Sequence, residues 1–351
     1  MDERLPTVYR CILCGNDGWK LIVEGRDRIC PIEGTFRVLM CTGCGLYRTD
    51  PQLTGAQLAR HYGAKYPIYD RELARRLARR SRNLRPFRGC VRRGLDALAR
   101  VRYWSLSSPP LVRGFTTLFL RPIRLVVGEV LPFSDRPGNL LDVGCGAGSF
   151  LVFAFRRGWT CYGVEPSHET TEHLVDNGIA DVRWCRFEEA AFDHEFFDLI
   201  NASHVLEHTS DPVQALRKMN NLLKPAGLLF LKIPRVTLEA RILGTYWMGW
   251  DLPRHLYHFG DSTFKKALVA AGFEVLSIEG EVTPNNAIWA LKSYLADKPF
   301  TRGLAGRVDV GRRMWRVIMW PIALCLWLTG QSGRIRVVAR KASEATREGR
   351  G

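Results

Sequence analysis

The strongest constraint on this chain is the stretch Leu140-Leu-Asp-Val-Gly-Cys-Gly-Ala-Gly-Ser-Phe150, where a short apolar run passes through glycines into an apolar helical pattern. Glycines at 144, 146 and 148 permit a tight turn and let the backbone approach a ligand with no side chain between. The helix start behind them presents N–H groups that have no partner within the helix. The next apolar run, Thr160–Val164, leads directly to Glu165. A carboxylate there can accept hydrogen bonds from both hydroxyls of a ribose, so the pattern implies an adenosine-type ligand at the edge of a parallel sheet. A dinucleotide site has the same layout, but its fingerprint is Gly-x-Gly-x-x-Gly or Ala. Here the sixth position from Gly144 is Ser149, the glycines alternate, and Asp142 inside the strand is a further departure.

From Asn139 onward short apolar runs alternate with helical ones, the mark of an α/β fold built on a parallel sheet. The expected strands are Leu140–Val143, Thr160–Val164, Val182–Cys185, Phe197–Ala202, Leu228–Ile233 and Phe273–Ile278, with Arg336–Lys341 as a last strand. Asp211-Pro212 reads as a helix cap followed by proline at the first helical position. That helix buries Leu216, Met219, Leu222 and Leu223 and is expected to stop at Lys224-Pro-Ala-Gly227. The domain plan is a β-rich unit over 1–50, a basic helical region over 51–133 and the ligand-binding core over 134–282. An apolar helical insertion with the last strand fills 283–342, and a disordered tail follows over 343–351.

Beyond the glycine loop, the order is Glu165, then Phe197-Asp-Leu-Ile-Asn-Ala-Ser-His-Val-Leu-Glu-His208, Asp211-Pro212 and Leu223-Lys-Pro-Ala-Gly227. This series resembles the class I methyltransferases related to the ubiquinone O-methyltransferases, over roughly residues 135–280. The resemblance implies a Rossmann-like seven-stranded sheet with an antiparallel final strand, and S-adenosyl-L-methionine as cofactor. It implies that Gly144, Gly146 and Gly148, in one motif with Asp142, line the methionine and ribose portion. Glu165 would take the ribose hydroxyls, Arg186 and Phe187 would border the adenine, and Asn201 to Ser203 would lie beneath the methionine end. Tyr62 and Tyr66 resemble tyrosines that close over the cofactor.

Cys11-Ile-Leu-Cys14-Gly and Cys41-Thr-Gly-Cys44-Gly are two CxxC knuckles, a spacing that suits a tetrahedral zinc site. Disulfides or incidental cysteines are the other readings. Four protein ligands leave no open position, so such a zinc would be structural. A zinc unit ahead of this core also resembles the sugar C-methyltransferases of deoxysugar pathways. That resemblance extends to a His-bearing segment, Trp250-Asp-Leu-Pro-Arg-His-Leu-Tyr-His-Phe259, although those relatives favour a Glu-His pair where this chain has Arg254-His255.

Methyl transfer to a protic acceptor calls for a base near neutral pKa over the ligand edge of the sheet, and histidine is the usual choice. His255 is the first candidate and His258 the second; a structural histidine satisfying the loop is the alternative. His204, Glu207 and His208 follow the fourth strand. They read either as divalent-cation ligands, with His208 also a catalytic candidate, or as residues that fix the strand-to-helix turn.

The formal net charge is +16, and residues 71–102 hold twelve arginines against Glu72 and Asp96. With apolar stretches at 111–133 and 315–328, that charge points to peripheral attachment to an anionic membrane, ahead of a fully buried helical cap and then of RNA. The run Val317–Leu328 covers about 18 Å, short of a bilayer core of about 30 Å, so a buried or interfacial helix is expected. The polar start of the chain and the unpaired pattern of its other cysteines suggest the cytoplasm, with attachment to the inner face of the membrane. The expected activity is methyl transfer to a small-molecule, glycan or lipid-linked acceptor. An RNA methyltransferase that uses the Arg-rich helix, or a non-catalytic S-adenosylmethionine-binding protein, stands as the alternative.

Overall fold

The structure, a computed structural model, describes residues 9–30, 32–62 and 137–342. The Arg-rich segment 71–102, the apolar stretch 111–133, Tyr66 and the tail 343–351 lie outside the described residues.

The core is a seven-stranded sheet in the order β6-β5-β4-β7-β8-β11-β10. Its strands are β4 (Asn139–Val143), β5 (Thr160–Val164), β6 (Asp181–Arg183), β7 (Phe197–Ser203), β8 (Leu223–Pro234), β10 (Phe273–Gly280) and β11 (Arg334–Lys341). β4 to β8 are mutually parallel, while β11 runs antiparallel to both β8 and β10. Leu140, Leu141 and Val143 of β4 are buried, as a central strand covered by helices on both faces requires. The chain winds outward from β4 through β5 and β6, then returns to lay β7 on the other side of β4. That reversal opens a crevice beyond the carboxyl ends of β4 and β7, where open α/β sheets bind their ligands.

The expected strands are present, most of them longer by a residue or two, but β6 spans Asp181–Arg183 and leaves Trp184 and Cys185 outside the strand expected over Val182–Cys185. The helix α4 (Pro212–Leu222) begins as read, with the Asp211 carboxylate accepting from the Val213 and Gln214 N–H groups and Pro212 at its first position. It stops at Leu222, because Pro225 disfavours helical backbone at the residue before it. β8 therefore starts at Leu223 and bulges, with Phe197 opposite Leu223 and Leu199 opposite Leu228.

The N-terminal unit contributes β1 (Trp19–Gly25), β2 (Phe36–Cys41) and β3 (Tyr47–Asp50), all antiparallel, and a short helix α1 (Gly55–Ala59). Its sheet is completed by β9 (Tyr257–His258), which the core lends to it: Tyr47 lies opposite His258 and Arg48 opposite Tyr257. Phe36 and Val38 share one apolar cluster with Trp247, Trp250 and Leu252, so the unit and the His-bearing segment pack as one body.

Candidate active site

The turn after β4 takes the shape that its glycines allow. Gly144 and Gly148 have φ of 64° and 74°, in the left-handed region that glycine enters without steric cost. A Cβ on Gly144 would meet Val205, and one on Gly148 would drive into Leu174. Around Gly146 the space is open, so no neighbouring atom would meet a Cβ there. The Glu165 carboxylate accepts from the Gly146 N–H at 3.0 Å and from the Ser167 N–H at 3.2 Å, so it braces the loop. Each oxygen keeps a second lone pair for a ligand hydroxyl. Burial raises the Glu165 pKa, and those two N–H bonds oppose the rise.

Behind the turn, Asp142 is fully buried and accepts from Asn201 Nδ2 at 2.6 Å, tying β4 to β7. Burial lifts Asp142 to about 7, against the Asn201 hydrogen bond and with help from the Glu165 charge.

In front of the turn lies a cavity of about 490 Å³. Gly144, Glu165, Arg186 and Phe187 line it, with Tyr62 from the N-terminal side and His204 and His208 at its far wall. Gly146, Gly148, Asp142 and Ser203 are not in that lining; Ser203 donates instead to Asn201 Oδ1 at 3.3 Å.

His204 and His208 also belong to the wall of a second cavity of about 200 Å³. Met248, Asp251, His255, Asn286 and Arg334 form other parts of that wall. The loop after β8 brings His255 to the second cavity. His255 Nδ1 lies 2.8 Å from the Gly249 carbonyl and His208 Nδ1 lies 3.1 Å from the Arg254 carbonyl. A carbonyl only accepts, so His255 Nδ1 carries the proton and its Nε2 keeps its lone pair, whereas His208 Nδ1 also lies 2.9 Å from the Tyr62 hydroxyl, which can donate to it or accept from it. The two rings meet edge to face at 4.6 Å between centroids.

Charge around these rings is uneven. Burial and the neighbouring His255 push His208 down to about 4, so it is neutral and weakly basic. Burial alone would raise Glu207, but the His204 hydrogen bond and the charges of His204, His255 and His208 bring it down to about 2. Asp251 is likewise held low against its burial by His255 and Arg254, and its Oδ2 lies 3.7 Å from His255 Nε2. Glu207, His208 and His255 offer ligand atoms within 4.8 Å of one another, a set able to hold a divalent cation. His258, by contrast, lines neither cavity. It stacks edge-on against Trp250 at 4.9 Å and shares a 3.1 Å hydrogen bond with Thr49 Oγ1.

Residues 117–278 match the Methyltransferase domain family. A ubiquinone biosynthesis O-methyltransferase of Actinobacillus pleuropneumoniae is 33% identical over 158 residues, 40% of this chain and 68% of the relative. The chain is a class I S-adenosylmethionine-dependent methyltransferase. The namesake from Xanthomonas axonopodis pv. citri is 29% identical over 196 residues, covering 51% of this chain and 78% of its own length. Three further namesakes are matched over 52–58% of their lengths, so the shared part is a core and not the whole of either protein. Among solved structures, an S-adenosylmethionine-dependent methyltransferase from Mesorhizobium loti is 17% identical, with 59% of this chain and 93% of that chain covered and a TM-score of 0.41.

Away from the methyltransferase crevice, the four knuckle cysteines come together as free thiols. Cys11 and Cys44 sulfurs are 3.6 Å apart, as are those of Cys14 and Cys41. Tetrahedral zinc with Zn–S bonds of about 2.3 Å separates its sulfurs by about 3.8 Å, so the set fits. Gly15 and Gly45, with φ of 73° and 80°, fold each knuckle so that their N–H groups donate back to Cys11 and Cys41 carbonyls.

Sequence reading passed over the residues that join this unit to the loop that carries His255. Arg254 is fully buried; it donates to both oxygens of Asp27 at 2.7 and 2.9 Å and to Asp251 Oδ1 at 2.6 Å. His61 Nδ1 reaches Asp27 Oδ2 at 2.7 Å, and the Thr49 hydroxyl donates to the His255 carbonyl. Asp27 is an isolated acid in an irregular segment with no motif around it. Asp251, three and four residues before Arg254 and His255, carried a local signal that spacing alone could have revealed.

Proposed function

We propose that the protein transfers a methyl group to a protic group of a small-molecule acceptor, or of a glycan or lipid-linked acceptor whose reacting end fits the smaller cavity. The observation that carries this reading is the shared wall: His204 and His208 line both cavities, so an acceptor beside His255 faces the cofactor crevice. When bound, S-adenosylmethionine supplies an electrophilic methyl carbon. The chain's part is to orient the acceptor and remove its proton. We assign the proton to His255 Nε2, because His208, pushed down to about 4, is a poor base at neutral pH. Glu207 and Asp251, both held ionised, stabilise the imidazolium that forms. Gly249 holds the ring by its Nδ1. Glu165, braced by the Gly146 N–H, holds the ribose side, and Arg186 with Phe187 borders the base. The cysteine cluster is assigned to one structural zinc, which has no part in the chemistry.

The test compares extracts of cells with and without the protein by mass spectrometry, followed by transfer of labelled methyl groups in vitro. A small molecule, glycan or lipid heavier by about one CH₂ unit only when the protein is present supports the reading. Label appearing in RNA alone, or cofactor binding with no S-adenosylhomocysteine formed from any extract, overturns it in favour of the RNA or the binding-protein alternative.

A further inference from the structure

The helix α9 (Arg313–Leu328) follows α7 (Pro284–Asp297) and the single-turn α8 (Arg302–Ala305), and it packs on α7. A surface helix ordinarily turns a polar face to water, and a helix apolar all round is ordinarily buried. This one does neither. Its outward positions Met314, Val317, Ile318, Pro321, Cys325 and Leu328 recur at helical spacing on one side, and none is charged. Val317 is 64% exposed and Ile318 51%, while Ala323 alone in the helix is buried. Trp320 and Ile322 broaden the stripe, and Phe300 stands fully exposed before α8. Upstream of the apolar face, Arg302, Arg307, Arg312, Arg313 and Arg316 are all exposed, with Asp309 the one acid among them.

We propose that this face docks on an anionic lipid membrane, α9 lying in the interfacial layer with the arginines on headgroup phosphates. The charge decides between occupants. A second copy of the chain would bring the same arginines to the contact. The chain's own apolar stretch 111–133 carries Arg113, Arg121 and Arg124 against Glu129 and would repel them likewise. Anionic headgroups above an apolar layer match both parts of the surface. Sixteen residues make about 24 Å of helix, and no helix among the described residues is long and apolar enough to cross a membrane, so the contact is one of lying on the surface. From its C-terminal end the chain runs through Gly330–Ser332 to Gly333 and Arg334 in the wall of the acceptor cavity, so docking sets that cavity near the lipid. The docking surface holds whichever acceptor is methylated.

The experiment is co-sedimentation of the full chain with vesicles of phosphatidylcholine alone or mixed with phosphatidylglycerol. The wild type is expected to partition onto the anionic vesicles and to leave them as salt rises. Ile318→Asp is expected to lose that binding, and each of Arg312→Gln and Arg313→Gln to weaken it about fivefold. All three should keep wild-type affinity for S-adenosylmethionine, which shows that they fold. No binding by the wild type, or binding untouched by Ile318→Asp, overturns the proposal. So does a dimer dissolved by Ile318→Asp, because that gives the face another cover.

Discussion

His255 and His258 lie three positions apart, yet the structure gives them different neighbours. His255 lines the smaller cavity with its Nδ1 held by a backbone carbonyl, while His258 belongs to the sheet of the N-terminal unit. Replacing His255 by Gln should lower turnover by about a hundredfold or more, the usual range for a lost general base, and leave S-adenosylmethionine affinity near wild type. Methyl-transfer rates beside calorimetric cofactor titration check this; undiminished turnover would remove His255 from the mechanism. His258 should act on stability instead. Burial, then the charge of His255, depresses it from 6.5 to about 3. Between those values the unfolded chain binds a proton that the folded chain refuses, so stability is full above about 6.5 and falls as pH drops toward 3. The slope from this one group is at most about 1.4 kcal/mol per pH unit. His258→Phe should flatten the pH dependence of the unfolding free energy, measured by urea titration between pH 6 and 4, by up to about that much; an unchanged slope would show that His258 titrates freely.

At the scale of elements, what was legible in the sequence followed local rules, and what was hidden did not. Strand β5 reads to the residue because Thr160–Val164 is an apolar run bounded by turn residues on both sides. The antiparallel β11 was expected from the family resemblance, and it takes the interior place between β8 and β10. The cofactor crevice was legible too, since a glycine turn and Glu165 are close in sequence. The smaller cavity was not, because its wall gathers Met248, Asn286 and Arg334 from separate elements. Nor was β9, a two-residue strand whose partner β3 lies more than two hundred positions away. The buried Asp27–Arg254 pair spans the same gap and fixes the loop that presents His255. Removing one partner of a buried pair costs about 3–5 kcal/mol, because the other charge is stranded. Asp27→Asn should therefore lower the unfolding free energy by about that amount and slow methyl transfer, with cofactor affinity preserved. If denaturant midpoints stay put and only turnover changes, the pair positions the loop without stabilising the fold.

For the molecule as a whole, the question is whether the cysteine unit is an appendage or part of the catalytic body. Cys11, Cys41 and Leu46 sit in one apolar cluster with Phe259, Phe264 and Phe273 of the core, and β3 and β9 share a ladder. Apolar contact and backbone pairing on both sides of a boundary make the two parts unfold together. The folded protein should hold one equivalent of zinc and melt in a single transition. Chelation should free the four thiols for alkylation and lower the melting temperature. Because β9 is continuous with the His255 loop, turnover should fall with the metal. Cofactor affinity should fall less, since Glu165 and the glycine turn stand on β4 and β5 at the other side of the crevice. Two resolved transitions, with turnover retained after the metal has been stripped, would mark the unit as an independent domain instead.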